Sequence, residues 1–148
     1  MSNAASAAQP VPAADLVLAD GLVPSPVDRD TLPFWEAARE RRLTYQTCDT
    51  CGEVVFFPRK HCPHCLGRDL TRHDSAGRGT VYTFSIVRAS RDPRFAGRVP
   101  YAVAWVDLAE GFRMMSNVLG DVDQLRVGLP VQVRWAASGE WLLPVFAP

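Results

Sequence analysis

Four cysteines place the strongest constraint on what this chain of 148 residues can fold into. Cys48, Cys51, Cys62 and Cys65 form two C-x2-C pairs with ten residues between the pairs. Two residues between the cysteines of a pair let both thiolates face one ion across a tight turn, and Gly52 supplies backbone freedom after the first pair. Two pairs make a closed tetrahedral set of thiolates with no position left for water or substrate. The spacing therefore predicts a structural metal site.

Zinc is the expected metal, although iron in a rubredoxin-type site uses the same four ligands. Disulfides are the competing interpretation of paired cysteines. They are disfavoured because Asp15 and Asp20 interrupt the mildly apolar stretch 13–20, no secretory signal is evident, and a reducing cytoplasmic location is expected. His61 and His64 beside the second pair offer alternative ligands, but with four cysteines present we expect both on the surface.

Composition narrows the class of protein further. Apolar residues make up 47% of the chain and charged residues 22%, which is typical of a globular domain. The chain has 16 basic and 16 acidic side chains, and its formal net charge is therefore zero. A net charge of zero disfavours bulk nucleic acid or an anionic bilayer as a partner. No apolar run approaches the roughly 18 residues of a membrane span, and no membrane association is expected.

The chain divides into three predicted parts. Residues 1–28 form a flexible tail rich in Ala and Pro, in which Ser2–Ala4 resembles the remnant of a cleaved purification tag. Residues 29–68 contain a short helix, with Pro33 suited to its first turn, followed by the ribbon that carries the cysteines. Residues 69–148 have an all-β pattern.

The all-β part is expected to form a barrel. Its strands are predicted from alternating apolar residues and turn signals at 80–88, 101–108, 112–119, 131–135 and 141–146. A single helical turn is predicted between the third and fourth of these strands, at 121–125. This mainly β arrangement favours a small five-stranded OB-fold barrel, and an SH3-like barrel is the structural alternative.

Aromatic residues are expected to supply much of the core. The barrel core is predicted to contain Tyr82, Phe84, Trp105 and Trp135. Phe34 and Trp35 on the short helix either pack into a core or are presented to a partner, and the pattern leaves both interpretations open. Met114 and Met115 are expected to fill the core.

The order of several motifs resembles a known family. The matching segments are FWE at 34–36, RLTYQTCDTCG at 42–52, FPR at 57–59, CPHC at 62–65, GRGTVYT at 77–83 and GLPVQV at 128–133. In this order they resemble the zinc-ribbon and OB-fold proteins associated with acyl-CoA enzymes, long described as a domain of unknown function. The resemblance covers about residues 30–148. Leu66 departs from it, because the family often has glycine after the second cysteine pair, and a slightly different turn is expected there.

The resemblance implies a function that composition does not show. Members of the family typically act as small non-catalytic partners of thiolase-like enzymes of lipid and acyl-CoA metabolism, and some are joined to hydratase domains. The expected partner is therefore a thiolase-like, aldolase or hydratase enzyme. The barrel is expected to help hold a CoA ester, and the ribbon is expected to dock on the partner.

One loop of the barrel carries a candidate anion site. Arg88, Arg91, Arg94 and Arg98 lie in the connection after the first barrel strand, at an end where OB barrels usually take ligands. Guanidinium groups suit the phosphates of CoA or acyl-CoA, and Phe95 among them is placed to stack on adenine. The alternative is a solvated loop in which a neighbouring acid pairs some of the charge.

Two other function classes compete with the accessory role. A single-stranded nucleic-acid module would stack bases on Tyr82, Phe84 or Tyr101, but the neutral chain lacks an evident basic groove. An independent enzyme is the third possibility. The sequence contains no P-loop, dinucleotide glycine motif, G-x-S-x-G or H-E-x-x-H, and no catalytic residues are assigned.

Overall fold

The computed structural model describes residues 16–17 and 27–148. The expected tail 1–28 therefore lies largely outside the described residues. The strands in chain order are β1 Leu16–Val17, β2 Thr44–Cys48, β3 Val54–Val55, β4 Leu70–Asp74, β5 Arg78–Val87, β6 Tyr101–Leu108, β7 Arg113–Val118, β8 Pro130–Ser138 and β9 Trp141–Ala147. The helices are α1 Leu32–Arg39, α2 Pro93–Ala96 and a 3-10 turn at Val122–Gln124.

The start of α1 is organised by Asp28. Its Oδ1 accepts hydrogen bonds from the backbone N–H groups of Asp30 and Thr31, both at 2.9 Å. The bond from the Thr31 N–H is the main reason why the pKa of Asp28 lies below its usual value. The helix buries both of its aromatic side chains, with Phe34 only 2% and Trp35 9% exposed. Of the two interpretations left open by the sequence, core packing is the correct one for both residues.

The ribbon is a three-stranded sheet in the order β3-β2-β4. β4 pairs antiparallel with β2 from Thr44↔Asp74 to Cys48↔Leu70. The side chain of Arg42 adds a contact to Asp74 at 3.0 Å. β4 thus belongs to the ribbon sheet, although it follows residue 68, where the sequence interpretation ended the ribbon.

The barrel closes as a ring of five strands in the order β5-β6-β7-β9-β8, with β8 returning to β5. All neighbours are antiparallel except β7 and β9, which meet in parallel at Val118↔Phe146. This order, with its parallel pairing of the third and fifth barrel strands, is the OB-fold arrangement and confirms the predicted fold class. Leu16 and Val17 of β1 pair in parallel with Ala136 and Ala137 of β8.

The predicted core placement of Tyr82 is wrong because β5 contains a bulge. The pairing of β5 with β6 shifts between Val81↔Val106 and Thr83↔Trp105, which leaves Tyr82 as the extra residue. A bulge resets the alternation of faces. Val81 is consequently buried at 1% exposure, whereas Tyr82 is 49% exposed.

Trp105 also lies outside the core, contrary to the sequence expectation. The inward face of β6 carries smaller side chains, with Ala102, Ala104 and Val106 all buried. The interior of a small barrel has little volume, so these residues fill it while Trp105 points outward and is 44% exposed. Trp135 on β8 is buried as predicted.

The ribbon and the barrel share one apolar core. At their boundary lies an aromatic junction, which we define as Phe34, Trp35, Phe56, Phe57 and Phe112. The rings of Phe34 and Phe57 are 5.0 Å apart, and those of Phe56 and Phe112 are stacked at 4.7 Å. Aromatic pairs of this kind contribute about 0.5–1.5 kcal/mol each beyond the area they bury. The junction therefore fixes the ribbon against the barrel.

A polar contact supports the same boundary. The carboxylate of Glu110 accepts hydrogen bonds from Ser75 Oγ at 2.9 Å and from the backbone N–H of Ala76 at 2.7 Å. Ser75 and Ala76 connect the last ribbon strand to the first barrel strand. Glu110 therefore fixes the segment between ribbon and barrel through the side chain of Ser75 and the backbone of Ala76.

Candidate metal centre and adjoining cleft

The four cysteines converge at one end of the ribbon. Their Sγ atoms all lie within 4.8 Å of one another. The closest pairs join the two halves of the site, with Cys48 to Cys65 and Cys51 to Cys62 both at 3.6 Å. The described residues include no other group of three or more His, Cys, Asp or Glu side chains that could hold a metal ion.

The donor set fits zinc. Thiolates at the usual zinc–sulfur distance of about 2.3 Å lie about 3.8 Å apart in a tetrahedron, close to the separations of the nearest pairs. Backbone N–H groups of His64 and Gly67 donate to the sulfurs of Cys62 and Cys65, both at 3.4 Å. The N–H of Cys51 lowers the pKa of the Cys48 thiol to about 7. At Cys51 and Cys65, by contrast, burial and the neighbouring thiols raise the pKa, so metal binding would displace protons from these two thiols.

The two turns that carry the cysteines have the same backbone. In the first, the N–H of Gly52 donates to the carbonyl of Cys48 at 2.8 Å; in the second, Leu66 donates to Cys62 at 2.9 Å. Gly52 has φ of 78° and Leu66 has φ of 62°. Leu66 therefore adopts the left-handed conformation that glycine takes in the first turn. The departure from the family pattern leaves the turn intact at a cost in backbone strain.

A cleft of about 590 Å³ adjoins the aromatic junction. One wall comes from α1 and the segment after β3, and includes Trp35 and Phe57. The opposite wall comes from the outer face of β6 and β7 and from β9, and includes Trp105, Met115 and Pro144. The cleft is mostly apolar and open to solvent, and its volume is typical of sites for small organic ligands.

The arginine loop contributes to this cleft through Phe95, which lines it. The Phe95 ring packs 5.6 Å from the ring of Tyr101, and the guanidinium of Arg94 lies 5.8 Å from the same Phe95 ring. Arg94 also bonds Asp92 at 2.6 Å. Part of its charge is therefore paired within the loop, as the solvated-loop alternative anticipates.

The other arginines of the loop are spread along it. Arg88 reaches Asp123 on the 3-10 turn at 3.7 Å. Arg91 is exposed and Arg98 is half-buried. Neither has an ion-pair partner among the described residues. The loop thus presents two arginines whose charge is available to an anion.

Sequence reasoning missed two arginines at the cleft. Arg113 lies with its guanidinium carbon 3.4 Å from the centre of the Tyr82 ring and bonds Asp107 at 3.1 Å. Arg59 lines the cleft and is exposed, and its backbone is held by the side chain of Gln46. The segment FPR at 57–59 is one of the motifs that resemble the family, so the sequence drew attention to Arg59. Only the folded structure shows that Arg59 lies in the cleft beside the barrel.

Comparison with known proteins identifies the family. Residues 35–71 match the family model described as the rubredoxin-like zinc ribbon domain of ChsH2. Residues 72–136 match the model of the C-terminal OB-fold domain of ChsH2. Together the two matches span more than half of the chain. The chain belongs to the ChsH2, or DUF35, family.

Curated relatives carry several names. A probable enoyl-CoA hydratase alpha subunit of Thermomonospora curvata is 38% identical over 82% of this chain and 38% of its own length. A DUF35 domain-containing scaffold protein of Methanothermobacter thermautotrophicus is 32% identical over 70% of this chain and 80% of its own. The benzoylsuccinyl-CoA thiolase subunit BbsA of Geobacter metallireducens is 29% identical over 58% of this chain and 56% of its own. The chain spans about two fifths of the hydratase subunit.

A solved structure shares both sequence and fold. It is titled Ltp2-ChsH2(DUF35) aldolase, with 37% identity and a TM-score of 0.76 over 83% of this chain and 97% of that one. Homologues of this chain are thus subunits of thiolase, hydratase and aldolase proteins. In the described part of the chain, neither helix is long and apolar enough to cross a membrane.

We expect Cys48→Ser and Cys62→Ser to lose the bound metal, because each removes one of four converging thiolates. The ribbon should unfold while the barrel strands persist, since metal binding stabilises the ribbon. Metal per chain by elemental mass spectrometry, with circular dichroism, measures both effects. His61→Ala and His64→Ala are the matched controls and should retain one equivalent. One equivalent of metal in either serine variant would contradict the four-thiolate site.

Leu66→Gly should raise the free energy of unfolding of the metal-loaded protein by up to about 1 kcal/mol, because it relieves a left-handed leucine. Gly52→Ala is the control, because Gly52 occupies the equivalent position in the first cysteine turn. A Cβ at Gly52 meets no atom within 4 Å, so its expected destabilisation comes from φ alone. Urea unfolding with zinc present measures both changes. A less stable Leu66→Gly protein would show that the exposed leucine side chain contributes more than its backbone strain costs.

Proposed function

We propose that this protein is a non-catalytic accessory subunit that binds a thiolase-like, aldolase or hydratase enzyme and helps to hold its CoA ester. The proposal is carried by one observation: Phe95, which lies between the arginines of the loop, also lines the apolar cleft. An acyl-CoA has the matching character, with an apolar acyl end and a nucleotide end rich in phosphate. The names of the relatives as subunits of acyl-CoA enzymes support the same role.

The metal centre has a structural part in this proposal. Cys48, Cys51, Cys62 and Cys65 would hold the zinc, and the four sulfurs fill a tetrahedral shell. A bound zinc supplies folding free energy to a ribbon too small to be stable by burial alone. The ribbon in turn carries Phe56 and Phe57 into the junction beside the cleft.

The nucleic-acid alternative has less support from the barrel surface. One face of the Tyr82 ring is covered by Arg113, and Tyr101 packs against Phe95. Phe84 is half-buried against the core. Base stacking needs open aromatic faces along a basic groove. Phe84 and Tyr101 are engaged in packing and Arg113 leaves at most one face of Tyr82 free, so these residues do not form a row of open faces.

The direct test is recovery of the partner from an extract of the source organism. A tagged chain, in low salt and after nuclease treatment, should retain a thiolase-like, aldolase or hydratase enzyme in stoichiometric amount, identified by mass spectrometry. Nucleic acid held by an untreated sample, with no enzyme recovered from the treated one, would contradict the accessory role and favour the single-stranded nucleic-acid module.

The arginine loop provides a second test. The double variant Arg91→Ala/Arg98→Ala should weaken CoA binding by about a hundred-fold or more, because each of the two lost charge-assisted bonds to phosphate contributes about 1.5–3 kcal/mol. The loss should shrink as salt rises. Calorimetric titration of CoA measures it, and Arg68→Ala in the ribbon is the control. Equal affinities for all three proteins would exclude the loop as the nucleotide site.

A further inference from the structure

The second cysteine turn, residues 62–67, presents a leucine to solvent. Leu66 is 76% exposed, more than any other large apolar side chain in the described part of the chain. Single exposed apolar residues are ordinary on protein surfaces, and Val127 is 66% exposed. Leu66 differs because it also has φ of 62°, in the left-handed region that disfavours residues with a Cβ. It therefore adds strain to the fold while its side chain stays in solvent.

The first cysteine turn shows that such a turn does not need a leucine. Gly52 occupies the equivalent position with φ of 78°, and its N–H makes the equivalent bond to the first cysteine of its pair. A glycine at position 66 would make the same turn without strain. Backbone strain that the fold does not require is concentrated at functional sites. The strain at Leu66 thus indicates a contact that its side chain makes outside this chain.

The turn holds the leucine in a fixed position. The N–H of Leu66 donates to the carbonyl of Cys62 at 2.9 Å, and the N–H of Cys62 donates to the carbonyl of Gly67 at 2.8 Å. A Cβ at Gly67 would lie 3.0 Å from Oγ1 of Thr50, so the second turn packs closely against the first. Because the turn is already ordered, inserting its leucine into a pocket has a low entropic cost.

Basic residues flank the leucine. Residues 54–68 contain three of them, Arg59, Lys60 and Arg68, and no Asp or Glu. Lys60 lies 3.6 Å from Asp30, whereas Arg68 is exposed and has no ion-pair partner among the described residues. A guanidinium group beside an apolar anchor is best matched by a carboxylate. The surface therefore fits an apolar pocket with an acidic group at its rim.

Acids at the same end of the ribbon favour a protein over a polyanion as the occupant. Asp49 and Asp69 are both exposed, and the N–H of Asp49 donates to the carbonyl of Asp69 at 2.8 Å. Glu53, which follows the first turn, is exposed as well. These carboxylates would repel an anionic bilayer or a nucleic acid. A protein surface, by contrast, offers charges of both signs around an apolar contact.

We infer that the second cysteine turn is a docking site for the acyl-CoA enzyme, with Leu66 entering an apolar pocket of that enzyme and Arg68 pairing with a carboxylate at the rim of the pocket. The inference rests on the proposed function and adds the surface through which the partner is held. Neither residue lines the cleft or belongs to the arginine loop. Since glycine is common at position 66 in the family, the leucine contact is a feature of this chain.

The test compares variants at position 66 for recovery of the enzyme from an extract of the source organism. The enzyme retained by the tagged, zinc-loaded chain is identified by mass spectrometry, purified, and titrated against each variant. Leu66→Gly should bind it at least ten-fold more weakly, because the buried apolar side chain is lost. Leu66→Met keeps an apolar side chain and should bind like the wild type. Equal affinity of Leu66→Gly and the wild type would overturn the inference.

The same variants separate lost contact from lost structure. Leu66→Gly keeps the turn and relieves its strain, so its metal content and melting temperature should be no lower than those of the wild type. Leu66→Asn also tolerates a positive φ and should show the same loss of affinity. Val127→Ala, at the other strongly exposed apolar residue, is the control and should bind normally. An equal loss of affinity in Val127→Ala would overturn the inference.

Arg68→Glu tests the charged rim. It should weaken binding of the purified enzyme by at least ten-fold, because one carboxylate would then face another, and the affinity of the wild type should fall as salt rises. Arg126→Glu is the control, since Arg126 is exposed and follows the 3-10 turn of the barrel. Equal affinities of the two glutamate variants would overturn the pairing assigned to Arg68.

Failure of this inference is distinguishable from failure of the proposed function. Unchanged recovery of the enzyme by Leu66→Gly would overturn the docking site and leave the accessory role standing. Recovery of no acyl-CoA enzyme by any chain, the wild type included, would overturn both. Two further outcomes, with enzyme binding unchanged, would also overturn the docking site: loss in Leu66→Gly of binding to vesicles of phosphatidylcholine and phosphatidylserine, or loss of a dimer in sedimentation. The first would assign the turn to a membrane, and the second to another copy of this chain.

Discussion

The packing of aromatic rings between ribbon and barrel is the interaction on which the rest of this structure depends. Phe34 contacts Phe57 at 5.0 Å, and Phe56 stacks on Phe112 at 4.7 Å. A ribbon of this size buries too little surface to hold itself together, and a barrel alone would have no second wall for the cleft. The ring contacts unite the two parts into one core and leave the cleft beside it.

The metal centre and the cleft are linked through this junction. The cysteine turns hold the ends of the ribbon strands, and β3 leads from the first turn directly into Phe56 and Phe57. Metal bound by the four sulfurs therefore restrains the same segment that forms one wall of the cleft. A structural ion at a distance from the ligand can influence ligand binding in this way without touching the ligand.

The sequence predicted the features that depend on local pattern. The cysteine spacing located the metal site because a thiolate pair on a tight turn is a local structure, and alternation located the five barrel strands. The bulge at Tyr82 was not predictable, since it depends on pairing with β6. The cleft was missed because residues 34–59 and 95–145 meet only after folding. The sequence left open how far Asp92 pairs with Arg94, because the bond between them depends on the turn of α2.

The central claim, that this chain assists an acyl-CoA enzyme without being one, is tested most directly by reconstituted turnover. Acyl-CoA conversion would be measured for this chain alone, for the recovered partner enzyme alone and for the two together, with zinc present. The account predicts no turnover by this chain, weak turnover by the partner and full turnover by the mixture. Turnover by this chain alone, or a partner whose activity is the same with and without it, would contradict the account.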